Sequence, residues 1–494
     1  HNMPNKLPNK ILTRRIVNFK QGMVSNPYGD GLSKLEHFNV VNEQARPFRT
    51  LVASTDSAGA GITVIAPLAI CKMGSSGTLY MVGTDPTTPT YGAIYSWDTS
   101  QFQWFTKLSF GAASVPNALL FPHKGTLYGL RNSRYIYSMT TDGNYVPTIS
   151  SGDLGAFVNG FADAFTHSKD GVTYFGFDNK IYKLDTSSAL TLALTLPNTN
   201  FFIKSICEEG DYVNICGYST DTGISSSLLW DRDTSVADLT QSYLLGTDTV
   251  YHNATLQGRT FFVSLRPNSS NSNFSEQPVL VIKYILGDQV TILHEFMVTS
   301  CVMLDYGKYI SDDRLYFTAL VRLLGETAAT NKCFVLDKDG NLSIAQNLAV
   351  DTGTLAVSGV LRDGEGFWFL GGANGAWNTT TTYTTISTLE TTKIRSDDLA
   401  KNVGFRGAIV STEPMPASGQ VLLKARKNAE TTWTTIATFS TTDEVKFAVS
   451  ALKARNSLRL DSAKEFQLQL ESTVGAIITG LQYSFEEVDA EGYG

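Results

Sequence analysis

The chain is short of charge. Charged residues fill 17% of its 494 positions, and acids exceed bases by 46 − 39 = 7. That balance speaks against a general polyanion binder, because phosphate backbones are held mainly by surplus lysine and arginine. Histidine is scarce as well: six in all, with His37, His123, His167, His252 and His294 far apart and His1 at the start. No HExxH, HxH or Cys/His pairing occurs, so the usual signs of a zinc or histidine-based centre are missing. A GxSxG elbow, a P-loop and a GxGxxG phrase are absent too, and GGANG from Gly371 reads as a turn. No run approaches the roughly 20 apolar residues of a membrane helix. The first ten residues, HNMPNKLPNK, have no apolar core of the kind a signal peptide needs.

Cysteine is sparse and unpaired in pattern. Cys71, Cys207, Cys216, Cys301 and Cys333 are odd in number and widely spaced, with no CxxC. Most lie in apolar runs such as SIC and VNIC, so they read as buried free thiols rather than disulfides or metal ligands. A chain of free thiols is expected to assemble in a reducing cytoplasm.

What is plentiful is apolar and hydroxylated. Hydrophobic residues make up 42% of the chain, enough for real cores. The length allows two to four ordinary domains, or one large repeat domain and a small one. Thr, Ser and Asn supply the polar surface that charge does not.

A short phrase recurs through the middle: a turn residue, then aromatic and β-branched residues. It reads GTLYMVG from Gly77, GTLYGL from Gly125 and GVTYFGF from Gly171. Looser copies are GDYVNICG from Gly210, GRTFFVSL from Gly258, DRLYFTAL from Asp313 and GFWFLGG from Gly366. A second element ending at an acidic or Asn turn follows most of them: AIYSWDT, YIYSMTTDG, KIYKLDT, SLLWDRDT, KCFVLDKDG and GAWNTT. The spacing is that of propeller blades. TLYMV and DYVNIC are apolar at nearly every position, whereas a half-buried strand alternates with period two. Strands sandwiched between neighbouring blades lose their wet face and need no alternation. The expectation is an all-β chain with a β-propeller over residues 47–396, of about seven blades, six or eight being the alternatives.

After about Asp397 the pattern changes. VLLKARK, FQLQLES and ITGLQYSFEEVD alternate apolar with polar, separated by the turn signals PASG, KNAE and TTDE. Residues 397–494 are therefore expected to form an independent, jelly-roll-like C-terminal β-sandwich. Trp433 is expected in its core or on a sheet face. The Thr-rich stretch from Asn378 to Thr392 reads as an exposed strand.

Residues 1–46 are expected to form an extended N-terminal arm. Five bases (Lys6, Lys10, Arg14, Arg15, Lys20) precede the first acid, Asp30, and Gly and Pro interrupt the stretch. SKLEHFNV allows a short helix, since Ser33 and Glu36 stand at capping-box spacing. Two paths are open for the latter half of the arm: across a neighbouring subunit, or around its own propeller, closing the ring through Pro47–Ser54.

Carboxylate signals are weak. Asp-boxes of sialidase propellers have the form SxDxGxTW, and SKDGVTY from Ser168 is one residue too short. CEEGD (Cys207–Asp211) reads as a solvated hairpin tip. DRD at Asp231 and SDDR at Ser311 have calcium-like acids, but a solvated turn is the better reading of both. No catalytic, cofactor-binding or metal residue is assigned, and the chain is expected to be non-enzymatic.

The arm carries a resemblance. RIVNFKQGMVSNPYGDGLSKLEHFNV resembles the opening of tailed-bacteriophage virion proteins, which often begin I-x-N-F-x-x-G; the matching residues are Ile16, Asn18, Phe19, Gly22, Phe38 and Val40. The closing stretch from Phe466 to Asp489 resembles the last strands of phage tail-associated β-domains. The nearest comparison is with tail nozzle or tail adaptor proteins, some of which carry a propeller. The resemblance implies a structural virion protein of the tail, assembled in the host bacterial cytoplasm. Its implied partners are other tail proteins and further copies of itself, with no membrane and no sequence-specific nucleic acid. Two other classes stay open: an adhesin for a host surface glycan or receptor, and a propeller glycoside hydrolase or lyase.

Overall fold

In the computed structural model the described residues are 11–16, 32–36, 38–41, 44–47 and 49–56, then 68–489 without 75–76, 86, 89, 112–113, 159–162, 234–238, 267–276, 305–306, 324–327, 349–356, 365, 372–374, 384–385, 399–400, 441–445 and 451–461. Among them every regular element is a β-strand, and no helix is long and apolar enough to cross a membrane. The chain divides into two compact units. One takes Leu51–Gly340 and Leu348–Thr379; the other takes the described residues of His1–Thr50, with Asn341–Asn347 and Thr380–Gly494.

The first unit is a propeller with seven blades among the described residues. Blades 1 to 5 open with the inner strands Ala69–Lys72, Pro116–His123, Asp163–Thr166, Phe201–Glu209 and Thr249–Leu256, each followed by three antiparallel strands. Lys308–Ser311 and Val357–Asp363 are the inner strands of blades 6 and 7. Neighbouring blades touch around the ring, and blade 7 touches blade 1.

Burial explains the lack of alternation. Leu79, Tyr80, Met81 and Val82 are all buried, as is every residue of Thr173–Phe177. Aromatic rings fill the seams: Phe121 meets Phe175 at 5.8 Å between blades 2 and 3, and Tyr316 meets Phe367 at 4.9 Å between blades 6 and 7. Such packing is non-local, so the blades stabilise one another. The ring is closed by Arg49–Ala53, which pairs with Ala376–Tyr383 as the outer strand of blade 7. This is the route that the Pro47–Ser54 stretch left open.

The second unit is a two-sheet sandwich. One sheet runs Phe38–Val41, Gln44–Pro47, Ile478–Asp489, Lys401–Thr412 and Lys446–Ser450, with Ile11–Ile16 also paired to Ile478–Asp489. The other runs Leu32–Glu36, Ser387–Thr391, Glu465–Thr473, Gln420–Lys427 and Thr434–Phe439. Phe466 of the second sheet packs on Phe485 of the first, ring centroids 5.6 Å apart. Val421, Leu423 and Ala425 are buried while Leu422, Lys424 and Arg426 are half-exposed, the period-two pattern expected. Trp433, just ahead of Thr434–Phe439, is half-buried, with the Arg426 guanidinium 4.4 Å over its ring.

Three expectations change. The described strands before residue 47 are not a free arm: Ile11–Ile16 pairs with Arg14 opposite Tyr483, and Leu32–Glu36 pairs antiparallel with Ser387–Thr391. The first half of SKLEHFNV is a strand, not a helix; the Ser33 hydroxyl donates to Thr391 O at 2.8 Å across the sheet instead of capping. Ladder pairing outweighs a weak local helix signal there. The sandwich also starts before residue 397, because Ser387–Thr391 sits at its centre between two strands, with Leu389 fully buried. The phrase residues Asn18, Phe19 and Gly22 lie outside the described residues.

Candidate functional site

The inner strands of blades 1, 2, 3, 6 and 7 surround a cavity of about 140 Å³ on the propeller's axis. Ile70, Leu119, Val360 and neighbouring backbone form much of its wall, with Asp163 and Lys308 as its charged members. Asp163 and Lys308 each open their inner strand, in blades 3 and 6.

These two side chains are an ion pair: Lys308 Nζ lies 2.6 Å from Asp163 Oδ2, with 11% and 18% of the side chains exposed. The ammonium also reaches Ser205 Oγ, Ile206 O at 2.9 Å, Asn253 O at 3.3 Å and Asn253 Oδ1 at 3.4 Å. One cation thus ties blades 3, 4, 5 and 6 together. Asp163 Oδ2 further accepts from Ser205 Oγ and from the Ile206 backbone N–H, both at 2.9 Å. The polar chain continues outward: Asn253 Nδ2 donates to Asn214 Oδ1 at 2.8 Å, and Ser227 Oγ donates to the same oxygen at 3.1 Å.

Local irregularity shapes the same region. The inner strands of blades 4, 5 and 7 break register around Lys204, Tyr251 and Ser358, and that of blade 2 between Pro116 and Leu120. An extra residue re-aims the side chains that follow it, and bulges concentrate beside functional sites. In blade 4 the residue after the bulge is Ser205; in blade 5 it is His252.

His252 is buried, and among the described residues neither ring nitrogen has a hydrogen-bond partner. Burial, helped by the nearby Lys308 charge, pushes its pKa down to about 3. His123 is buried at the seam of blades 2 and 3, where Nε2 donates to Asp185 O at 3.0 Å and Nδ1 meets Thr173 Oγ1 at 2.8 Å. Burial lowers its pKa as well, and the same holds for His294, whose Nε2 meets Gly340 O at 2.7 Å. All five thiols are free and pushed up by burial, Cys207 and Cys301 to about 12.

The acidic turns singled out in the sequence come together in part. SKDG of blade 3, CEEGD of blade 4 and DRD of blade 4 form one cluster at neighbouring hairpin tips. Lys169 pairs with Asp211 at 2.6 Å, Arg232 with Asp170, and Glu208 Oε2 accepts from Ser168 N at 2.9 Å. The acids are thus spent on ion pairs and turn hydrogen bonds. In SDDR, Asp312 pairs with Arg362 and Asp313 accepts from Gln257. Among the described residues no three His, Cys, Asp or Glu side chains gather as metal ligands.

Asp163 and Lys308 carried no motif. The sign available in the sequence is positional: each is a lone charge at the first residue of an inner strand. Placing the repeats in register would have shown one acid and one base at equivalent points of two blades.

No protein-family model and no curated protein matches the chain. Among solved structures it is similar to a catalytically inactive virginiamycin B lyase from Staphylococcus aureus with quinupristin (TM-score 0.42, 13% identity, 67% of this chain and 99% of that one). It is similar also to BamB from Moraxella catarrhalis (TM-score 0.37, 12% identity, 63% and 82%). A third is an exo-β-1,3-galactanase from Phanerochaete chrysosporium with galactose (TM-score 0.31, 10% identity, 89% and 100%). None of the three is a phage protein. The expectation of a non-enzymatic chain is corrected: two of these neighbours are enzymes. The likenesses themselves transfer no activity and no site residue.

Proposed function

We propose that the chain is a structural subunit of a tailed-bacteriophage particle, built into the tail. The observation that carries the reading is the interlacing of its two ends. Strands on either side of the phage-like opening phrase pair with the closing segment: Ile11–Ile16, which overlaps its start, and Gln44–Pro47, which follows it, both on Ile478–Asp489. A second support is the closure of the ring by Arg49–Ala53. A subunit whose first strands complete both of its units suits an assembly that has to keep its shape when pulled. Its partners in this reading are other tail proteins and further copies of itself, and the five free thiols, four of them buried, suit assembly in a reducing cytoplasm. The test is electron microscopy of particles from a lysate in which the chain carries an internal tag. Tag density at fixed positions on the tail supports the reading; intact, infectious particles without the chain reject it.

A second reading, action on a saccharide or a similar polar ligand, is favoured by one observation. The axial cavity brings a carboxylate and an ammonium together from opposite parts of the sequence, beside bulged strands. Incubation of the purified chain with bacterial surface polysaccharides tests it, with Asp163→Asn as the control. Shortened or unsaturated products that vanish in the variant support it; unchanged polymers reject it.

A further inference from the structure

The axial cavity has a chemistry that narrows its ligand, and the argument rests on the second reading above. At about 140 Å³ its volume is close to that of a cavity able to hold one benzene-sized molecule. An oligomer does not fit; one ring or a short chain does.

Charge narrows the choice further. An ammonium has three N–H bonds. Lys308 has Asp163, Ser205, Ile206 and Asn253 oxygens within reach of them, so no donor remains to hold an anion. A cationic ligand fares no better, since the Lys308 charge already lies 2.6 Å from the cavity's carboxylate. Asp163 is asymmetric, however. Its Oδ2 takes three donors, while its Oδ1 takes the Ala164 N–H at 3.0 Å, which leaves lone-pair capacity for a hydroxyl. The inner strands of blades 1, 2, 3 and 7 are also the edge strands of their sheets. One row of their backbone donors and acceptors is outside the ladder, which suits a group that both donates and accepts.

We propose that the axial cavity binds a neutral hydroxylated ligand no larger than a single sugar residue. One hydroxyl donates to Asp163 Oδ1, and the apolar face of the ring lies against Ile70 and Val360.

The test is saturation-transfer NMR on the full chain with three probes: galactose, galacturonate and glucosamine. Galactose is expected to give the strongest transfer, with galacturonate and glucosamine at least several-fold weaker. Asp163→Asn removes the charged acceptor. Val360→Phe fills the cavity without touching the ion pair, so it covers the case in which the first variant fails to fold. Both are expected to abolish the galactose signal, the second with cooperative melting intact. Equal transfer to the charged probes overturns the proposal, as does an undiminished signal in folded Val360→Phe. No transfer to galactose alongside positive polysaccharide turnover rejects this ligand class and keeps the second reading. Failure of both assays rejects both.

Discussion

Trp104 donates its indole N–H to the Ser54 hydroxyl at 3.1 Å, and the same hydroxyl donates to Ala376 O at 2.9 Å. Ser54 follows the strand that closes the ring, Ala376 belongs to blade 7 and Trp104 to blade 1. One buried hydroxyl therefore joins the two ends of the propeller. Around it Trp97, Trp104 and Trp368 pack with ring centroids 4.6–5.3 Å apart. Ser54→Ala leaves the fully buried indole N–H without its acceptor, a loss of about 1–3 kcal/mol. A lower thermal midpoint is expected, with the Trp near-UV signal lost at the same temperature as the β signal. An unchanged midpoint counts against the clasp.

The axial ion pair behaves as a unit. Lys308→Met strands the Asp163 carboxylate and removes the tie between four blades, at a cost of about 3–5 kcal/mol. Asp163→Asn strands the ammonium and is similarly harmful. The double variant Asp163→Asn with Lys308→Met removes both charges and is expected to lose markedly less than the sum of the two. Urea unfolding of the four proteins measures this coupling. Additive losses show that the pair is incidental to the ring.

Truncation of the first 37 residues removes Ile11–Ile16 and Leu32–Glu36. The partners left behind, Ile478–Asp489 and Ser387–Thr391, expose unpaired edges, and buried Leu32 is lost. The truncated chain is expected to lose cooperative melting of the sandwich and to aggregate through those edges. For the same reason a fragment starting at residue 398 lacks Ser387–Thr391 and is expected not to fold. Native-like near-UV spectra from either product reject the interlaced reading.

The propeller was legible because its strands are repeated and buried on both faces, which leaves GTLYMVG and its copies visible at blade spacing. The late sandwich strands were legible because alternation is local, as in Gln420–Lys427. The weave of the N-terminal strands was not, since the pairing of Leu32 with Thr391 spans most of the chain and neither stretch announces its partner. The described strands of this N-terminal stretch read as an arm because the burial of Leu32 and Ala45 is supplied by distant strands. The axial pair was hidden for the same reason: Asp163 and Lys308 meet only once the ring has closed.

Acid is expected to loosen the ring through its histidines. His252 has a folded pKa of about 3 against roughly 6.5 for a free imidazole. The groups facing it are Lys308, which opposes its protonation, Asp163, which favours it weakly, and the Phe317 ring at 6.2 Å. Between those two pKa values the unfolded chain binds the proton that the folded chain refuses, so stability rises with pH across that window. The contribution is complete above about pH 6.5 and is lost progressively as the pH falls towards 3. His123 and His294 shift in the same direction, so their losses add over the upper part of the window. Urea midpoints taken between pH 7.5 and 4.5 are expected to fall steadily, while His252→Gln, which cannot take up the proton, shows a flatter slope. A wild-type midpoint independent of pH over this range, or a variant with the wild-type slope, removes His252 as the source of acid sensitivity.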